Sequence, residues 1–175
     1  LSRNAGMIKQ IYFPREIFSL SVVGSNAVIT SLSLAVVIPF MFYYELNPGW
    51  QIIYIPISFL LIVMMAWGVG MMLAPLNAIH GDIAHLFQFV TRAGFFLSPV
   101  MWTMSMVPSS REDAIGYLLL NPMVVPLELM RSGIDGSPIV IELHWIYYSV
   151  FFACISLLIG MMVFIRYERN GVKYL

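Results

Sequence analysis

The sequence predicts an all-α, polytopic membrane protein with four transmembrane helices and a short outer re-entrant helical pair. Three observations predict it. Charge is scarce: of 175 residues, 60% are hydrophobic and 10% charged, with mean hydropathy +0.86. A water-soluble domain is nearer half apolar and a quarter charged, so lipid must be the main solvent. The charges are also segregated. Residues 17–44, 52–73 and 145–165 carry none, and 83–107 carries Arg92 alone. A spanning helix needs about 20 apolar residues at 1.5 Å rise each, which all four stretches supply. Helices are the default because unpaired strands cannot satisfy their backbone in lipid. Finally, the cations are asymmetric. With the N-terminus inside, Arg3, Lys9, Arg15, Arg166, Arg169 and Lys173 are cytoplasmic, and only Arg111 and Arg131 are outside. That distribution obeys the positive-inside rule.

The elements follow in order. Residues 1–16 form a cytoplasmic amphipathic segment in which Met7, Ile8, Ile11 and Tyr12 recur at helical spacing, with Lys9 and Gln10 off that face. Pro14 ends this helix near Phe13. It is either a plain interfacial lead-in helix or a lever on which a partner pushes. Spans at 17–44 and 52–73 follow. Ala66, Gly70 and Ala74 form a small-xxx-small stripe on the second, where helix backbones can approach closely.

The third span is 83–107, with Asp82 expected as its N-cap. Arg92 lies about six residues in, about 9 Å deep at helical rise. A charge at the bilayer centre costs roughly 2.5–3.5 kcal/mol on insertion scales. Arg92 either snorkels to the inner headgroups or faces a polar conduit and meets an anion. Phe87, Phe89, Phe95, Phe96 and Trp102 crowd the same span. They are lipid-facing filler or a ladder of rings for sugar faces, and the sequence leaves both open.

Residues 112–142 form an outer region. Its apolar core, 114–130, is short and broken by Pro122 and Pro126, so it is expected as two helical pieces that dip into the outer leaflet and return. Such backbone is tolerated only where protein or a water-filled cavity covers it. The last span is 145–165, with a cytoplasmic tail at 166–175. The acids Glu45, Glu112, Asp113, Glu128, Asp135 and Glu142 fall outside, as do Trp50, Trp102 and Trp145, at the level where indoles prefer to lie.

Several functions find no support. Zero net charge gives no field for nucleic acid. Cys154 is alone, so no intrachain disulfide forms, and it reads as a small packing residue. His80, Asp82 and His85 lack a fourth metal ligand nearby and are spaced poorly for a helix face, so no metal site is expected. No phosphate loop or nucleophile elbow is present, so no catalytic residue is expected. Glu142 and His144 share a leaflet, where capping of a helix end explains both.

The run N-A-G-M-I-K-Q-I-Y-F-P-R-E-I resembles the segment before the third span in type-2 ABC transporter permeases that export polysaccharides such as O-antigen, capsule and teichoic acid. L-N-A-I-H-G-D-I-A-H-L resembles their inner loop entering the fifth span. F-F-L-S-P-V-M-W, then V-P, L-N-P and L-E-L-M-R, resemble their fifth span and outer re-entrant helices. Order and spacing agree over essentially the whole chain. The resemblance implies a six-span subunit whose first two spans precede this segment, which starts with Leu1. It implies a homodimer in the cell inner membrane that carries two ATP-binding cassette subunits, with ATP and Mg on those partners and no cofactor on this chain. A lipid-linked glycan would be the cargo.

The resemblance also implies roles for particular residues. Lys9, Phe13, Pro14, Arg15 and Glu16 would couple to the ATPase. Arg92, Phe95, Phe96 and Trp102 would line the conduit. Tyr117, Asn121, Pro122, Glu128 and Arg131 would belong to the outer gate. One departure matters: the family's inner loop often carries an aromatic-Arg-Asp triplet, and here the positions are His80, Gly81 and Asp82. That arginine's role is not carried over. The expected function is the permease subunit of an ATP-driven exporter of a lipid-linked polysaccharide. The alternatives are a type-2 exporter of drugs or small lipids, and an ion-coupled carrier.

Overall fold

The computed structural model describes residues 16–79, 81–106 and 112–171. No strand occurs among the described residues. The chain enters through α1 (Glu16–Ala35) and α2 (Val37–Tyr43), which together occupy the first predicted span. They break at Val36, whose N–H turns back to the Ser33 carbonyl at 3.2 Å. Pro39 explains the break, because its ring collides with the carbonyl four residues earlier, that of Ala35. A 3-10 turn at Gly49–Ile53 leads into α3 (Tyr54–Ile79). Then come α4 (Ile83–Leu97), a 3-10 turn at Met104–Met106, α5 (Glu112–Leu119), α6 (Val124–Asp135) and α7 (Leu143–Gly171).

Three stretches are long and apolar enough to cross a membrane: Ser19–Tyr43, Gly49–Asn77 and Leu143–Tyr167, of 25, 29 and 25 residues. The expected helix over 83–107 stops short. α4 has 15 residues, about 22 Å at helical rise, against a hydrocarbon core of about 30 Å. The cause is Pro99. A proline disfavours helix at the residue before it, and Ser98 is extended at ψ 148°. The path onward is completed by irregular backbone rather than by helix.

Two helical pieces, α5 and α6, lie in the region 112–142, and the break between them is at 120–123 alone. Pro126 sits in the first turn of α6, where no helical donor is lost. Gly136, at φ 75°, closes that helix in the left-handed conformation.

α3 is the axis of the bundle, and α7 packs along it. α3 buries Ser58, Leu61, Met65, Gly68, Met71 and Pro75, α7 buries Ser149, Ala153, Ser156, Gly160 and Phe164, and the two helices meet backbone to backbone at Gly68, Ser156 and Gly160. Hydrophobic exclusion does not drive helices together in lipid, so close packing must. Gly68 and Gly160 supply it: a Cβ on Gly160 would strike the Gly68 carbonyl, and one on Gly68 would strike the backbone of Ser156.

The small-residue stripe read from the sequence is not the one that packs within this chain. Ala66 is exposed, and a Cβ on Gly70 would meet nothing within 4 Å. Gly70 and Ala74 instead line a shallow groove beside α4, with Asn77 and Phe87. On α1, Asn26, Thr30, Ser31 and Ser33 bond back to carbonyls four residues earlier at 2.8–3.0 Å. That helix therefore satisfies its own polar side chains in an exposed position.

α6 lies across the N-terminal end of α3. Gly133 faces Ile55, the Gln51 amide donates to the Gly136 carbonyl at 3.1 Å, and Ser58 Oγ approaches Met130 Sδ at 3.6 Å. Val124, Val125 and Leu129 of α6 join Leu61, Met65 and Ala153 in the main core cluster.

Candidate functional site

Two groups of sequence-predicted residues come together, and one lies elsewhere. Lys9, Phe13, Pro14 and Arg15 fall outside the described residues, as does His80; Glu16 is the first residue of α1.

The first group is the free face of α4. At about 100° per residue, Ile83, Phe87 and Gly94 share one face, and all are half-buried toward the bundle. On the opposite face stand His85, Gln88 and Arg92, all exposed. Phe89, Phe95 and Phe96 flank them at 66%, 42% and 72% exposure. The Phe95 and Phe96 rings meet edge to face with centroids 5.6 Å apart, a favourable quadrupolar arrangement. Thr91, Arg92, Phe95 and Phe96 line one open groove. The helix begins at Ile83, where the span was expected to begin, so Arg92 is nine residues in and about 14 Å along the helix; the expected six residues and 9 Å undercount that distance.

Trp102 is set apart from this face. It is half-buried against the core cluster, and its indole N–H donates to the Phe96 carbonyl at 3.3 Å. The helix start also differs from expectation. Asp82 occupies the N-cap position but makes no side-chain cap bond. Asn77 Oδ1 accepts the Ala84 N–H at 3.0 Å instead.

The second group surrounds the irregular strap Ser98–Thr103. Arg131 Nη1 reaches Glu128 Oε1 at 2.6 Å. Its Nη2 donates to the Pro99 carbonyl at 2.8 Å and to that of Trp102 at 3.3 Å. Glu128 Oε1 also accepts the Met104 N–H at 3.3 Å. Asn121 donates to Ser98 Oγ at 2.9 Å and accepts the Met123 N–H at 3.1 Å.

From α7, Tyr148 donates to the Leu120 carbonyl at 3.0 Å and Ser149 to the Pro122 carbonyl at 3.2 Å. So Asn121, Pro122, Glu128 and Arg131 form one polar assembly where helix fails. Tyr117 stays outside it, 76% exposed. Sequence reasoning missed Ser98, Tyr148 and Ser149. A Ser-Pro pair inside an apolar run was the available signal for the first.

His144 and Glu142 pair at 3.1 Å, both exposed, as a helix-end contact. Among the described residues no group of three or more His, Cys, Asp or Glu side chains is placed to hold a metal.

Comparison with known proteins finds relatives by sequence. Two proteins named O-antigen export system permease protein RfbA, both from Klebsiella pneumoniae, are each 25% identical over 175 residues. The matches cover 98% of this chain and 62% of the relative. The chain is similar to O-antigen export permeases. A protein of the same name from Myxococcus xanthus is 25% identical over 124 residues, covering 71% of this chain and 47% of the relative. The chain therefore spans less than two thirds of the length of these relatives. No protein-family model matches it, and no solved structure does. The resemblance first carried by short motifs thus extends along nearly the whole chain.

Proposed function

We propose that the chain is the membrane-spanning part of a permease subunit in an ATP-driven exporter that moves a lipid-linked polysaccharide or related polymer outward across the cytoplasmic membrane. The observation that carries this reading is the continuous likeness, over 98% of the chain, to O-antigen export permeases. The α4 face supports it independently. An exposed Arg, Gln and His on one side of a short apolar helix are unfavourable against lipid tails. They are stable beside a water-filled path or a second subunit. In this reading Arg92, Phe95 and Phe96 line the path, and Trp102 buttresses its outer end.

The chain hydrolyses nothing itself. An ATP-binding cassette subunit holds ATP and Mg and pushes on the segment from Lys9 to Glu16. The assembly is a homodimer of permeases with two such partners. α5 and α6 dip into the outer leaflet as gate helices, and the bonds of Asn121, Glu128 and Arg131 hold the gate strap in place.

The test is deletion with complementation in the source cell, paired with purification of the subunit from native membranes. Loss of long surface glycan, restored by the gene, and co-purification of an ATP-binding subunit are the expected results. Intact surface glycan with drug sensitivity in its place would assign the cargo to small molecules. Transport that survives ATP depletion and collapses with the proton gradient would replace the reading with an ion-coupled carrier.

A further inference from the structure

We propose that His85, Gln88 and Arg92 form a phosphate-binding stripe on α4 that takes the anionic headgroup of an amphiphile, with the Phe89, Phe95 and Phe96 rings holding the apolar portion alongside. This rests on the reading of the α4 face as lining a path. Three positions at i, i+3 and i+7 fall within a sector of about 60° on the helix. The opposite sector holds Ile83, Phe87, Val90, Gly94 and Leu97, with no polar side chain. Snorkelling would explain Arg92 alone. It gives no reason for His85 and Gln88 to share its side.

The stripe selects an anion by its donor chemistry. Arg92 offers a planar fork of N–H groups, Gln88 an amide N–H2, and His85 a ring N–H. Among the described residues no carboxylate is paired with any of the three. Asp82 is the nearest along the helix, three residues before His85 but ten before Arg92, about 15 Å along the axis from the guanidinium's position. Glu45, Asp135 and Glu142 lie at the other end of the bundle, in or beside the loops that lead into α3 and α7. Glu128 is already bonded to Arg131.

Phosphate suits a guanidinium because two oxygens meet two parallel N–H groups. The flanking rings then make the surface amphipathic along its length. A phosphate joined to a hydrocarbon tail matches that surface better than a free sugar or a free anion does. Two sources share this chemistry: the diphosphate of a lipid-linked glycan and the headgroup of an ordinary phospholipid.

The experiment uses the full-length subunit with its ATP-binding partner in lipid nanodiscs. The probe is a fluorescent short-chain polyprenyl diphosphate, compared with the same polyprenol lacking phosphate. The diphosphate is expected to bind at least tenfold tighter than the alcohol. Arg92→Ala should lower diphosphate affinity at least tenfold and leave alcohol binding unchanged. Arg92→Lys, which keeps the charge and loses the fork, should fall between them, and Gln88→Leu should weaken binding about threefold.

Displacement of the probe by phosphatidylglycerol at equal mole fraction would support the stripe and assign it to ordinary headgroups; resistance to displacement would assign it to the lipid-linked diphosphate. Equal affinity for diphosphate and alcohol would overturn the proposal. So would an Arg92→Ala or Arg92→Lys protein that melts like wild type and binds the diphosphate equally well. If that happens while the ATP-binding subunit still co-purifies and surface glycan still depends on the gene, only the headgroup stripe fails and the export reading stands.

Discussion

A guanidinium that reaches a carboxylate and two backbone carbonyls at once acts as a clamp rather than as a surface ion pair. Arg131 does this for the strap after α4, and Glu128 completes the clamp by accepting a strap N–H. Exposed pairs contribute little. Here the two side chains are only 28% and 17% exposed, so an orphaned partner is costly. Arg131→Ala should destabilise the purified subunit by about 1–3 kcal/mol, because Glu128 and two carbonyls lose their donor. Thermal unfolding in detergent checks this, and the double variant with Glu128→Ala should cost less than the sum of the singles. Strict additivity would show that the two side chains act independently.

Phe95 and Phe96 pose the other residue-scale question. Replacing both with Ala should slow export while leaving insertion and melting unchanged, because both rings are exposed and support little of the core. Surface-glycan blots against time would read the effect, and an unchanged rate would return them to lipid-facing filler. The members of the clamp were legible in the sequence through the resemblance of L-E-L-M-R. Their acceptors were not. Pro99 and Trp102 offer backbone oxygens about thirty positions away, and no pattern of residue types announces a backbone acceptor.

Among the elements, the long apolar stretches told length well and continuity poorly. Residues 17–44 and 52–73 became α1 with α2, and α3, because hydrophobic runs of that length have no other way to satisfy their backbone in lipid. The run 83–107 was long enough to span as well, and yet its helix stops at Leu97. Composition reports the solvent around a segment, whereas one imide ring decides whether helix continues through it. Pro126 shows the converse. It was expected to break its helix and instead sits harmlessly in the first turn.

The segment before α1 belongs to the same scale. Charge reversal at Lys9 and Arg15 together should weaken assembly with the ATP-binding subunit at least several-fold and leave membrane insertion intact. Co-purification ratio measures it. Normal assembly with normal ATP-driven transport would make that segment a simple interfacial lead-in.

At the scale of the molecule, the sequence announced a membrane bundle but not which helices pair inside it. The stripe singled out on α3, Ala66 to Ala74, lies on a different face from the one that packs within the chain. The working partner was Ser149, Ala153, Ser156 and Gly160 on α7, a pattern hidden among larger residues because its spacing alternates between three and four. Gly160→Val should therefore be severe. Its side chain would enter the Gly68 backbone, where no flexible group can yield, so a loss of about 1–3 kcal/mol or more is expected. Gly70→Ala, which meets open space, should be nearly silent. Melting of the two variants side by side checks the contrast.

That glycine-on-glycine crossing also sets where the molecule can give way. Two rods whose backbones touch cannot slide past one another without first being prised apart, so α3 and α7 must travel as one strut, carrying α6 with them. Whatever opens and shuts has to do so along the looser flanks, where α1 and α4 rest on that strut. A permanent covalent tie between α3 and α7 near Gly68 should consequently leave transport running, whereas the same tie between α3 and α4 should stall it.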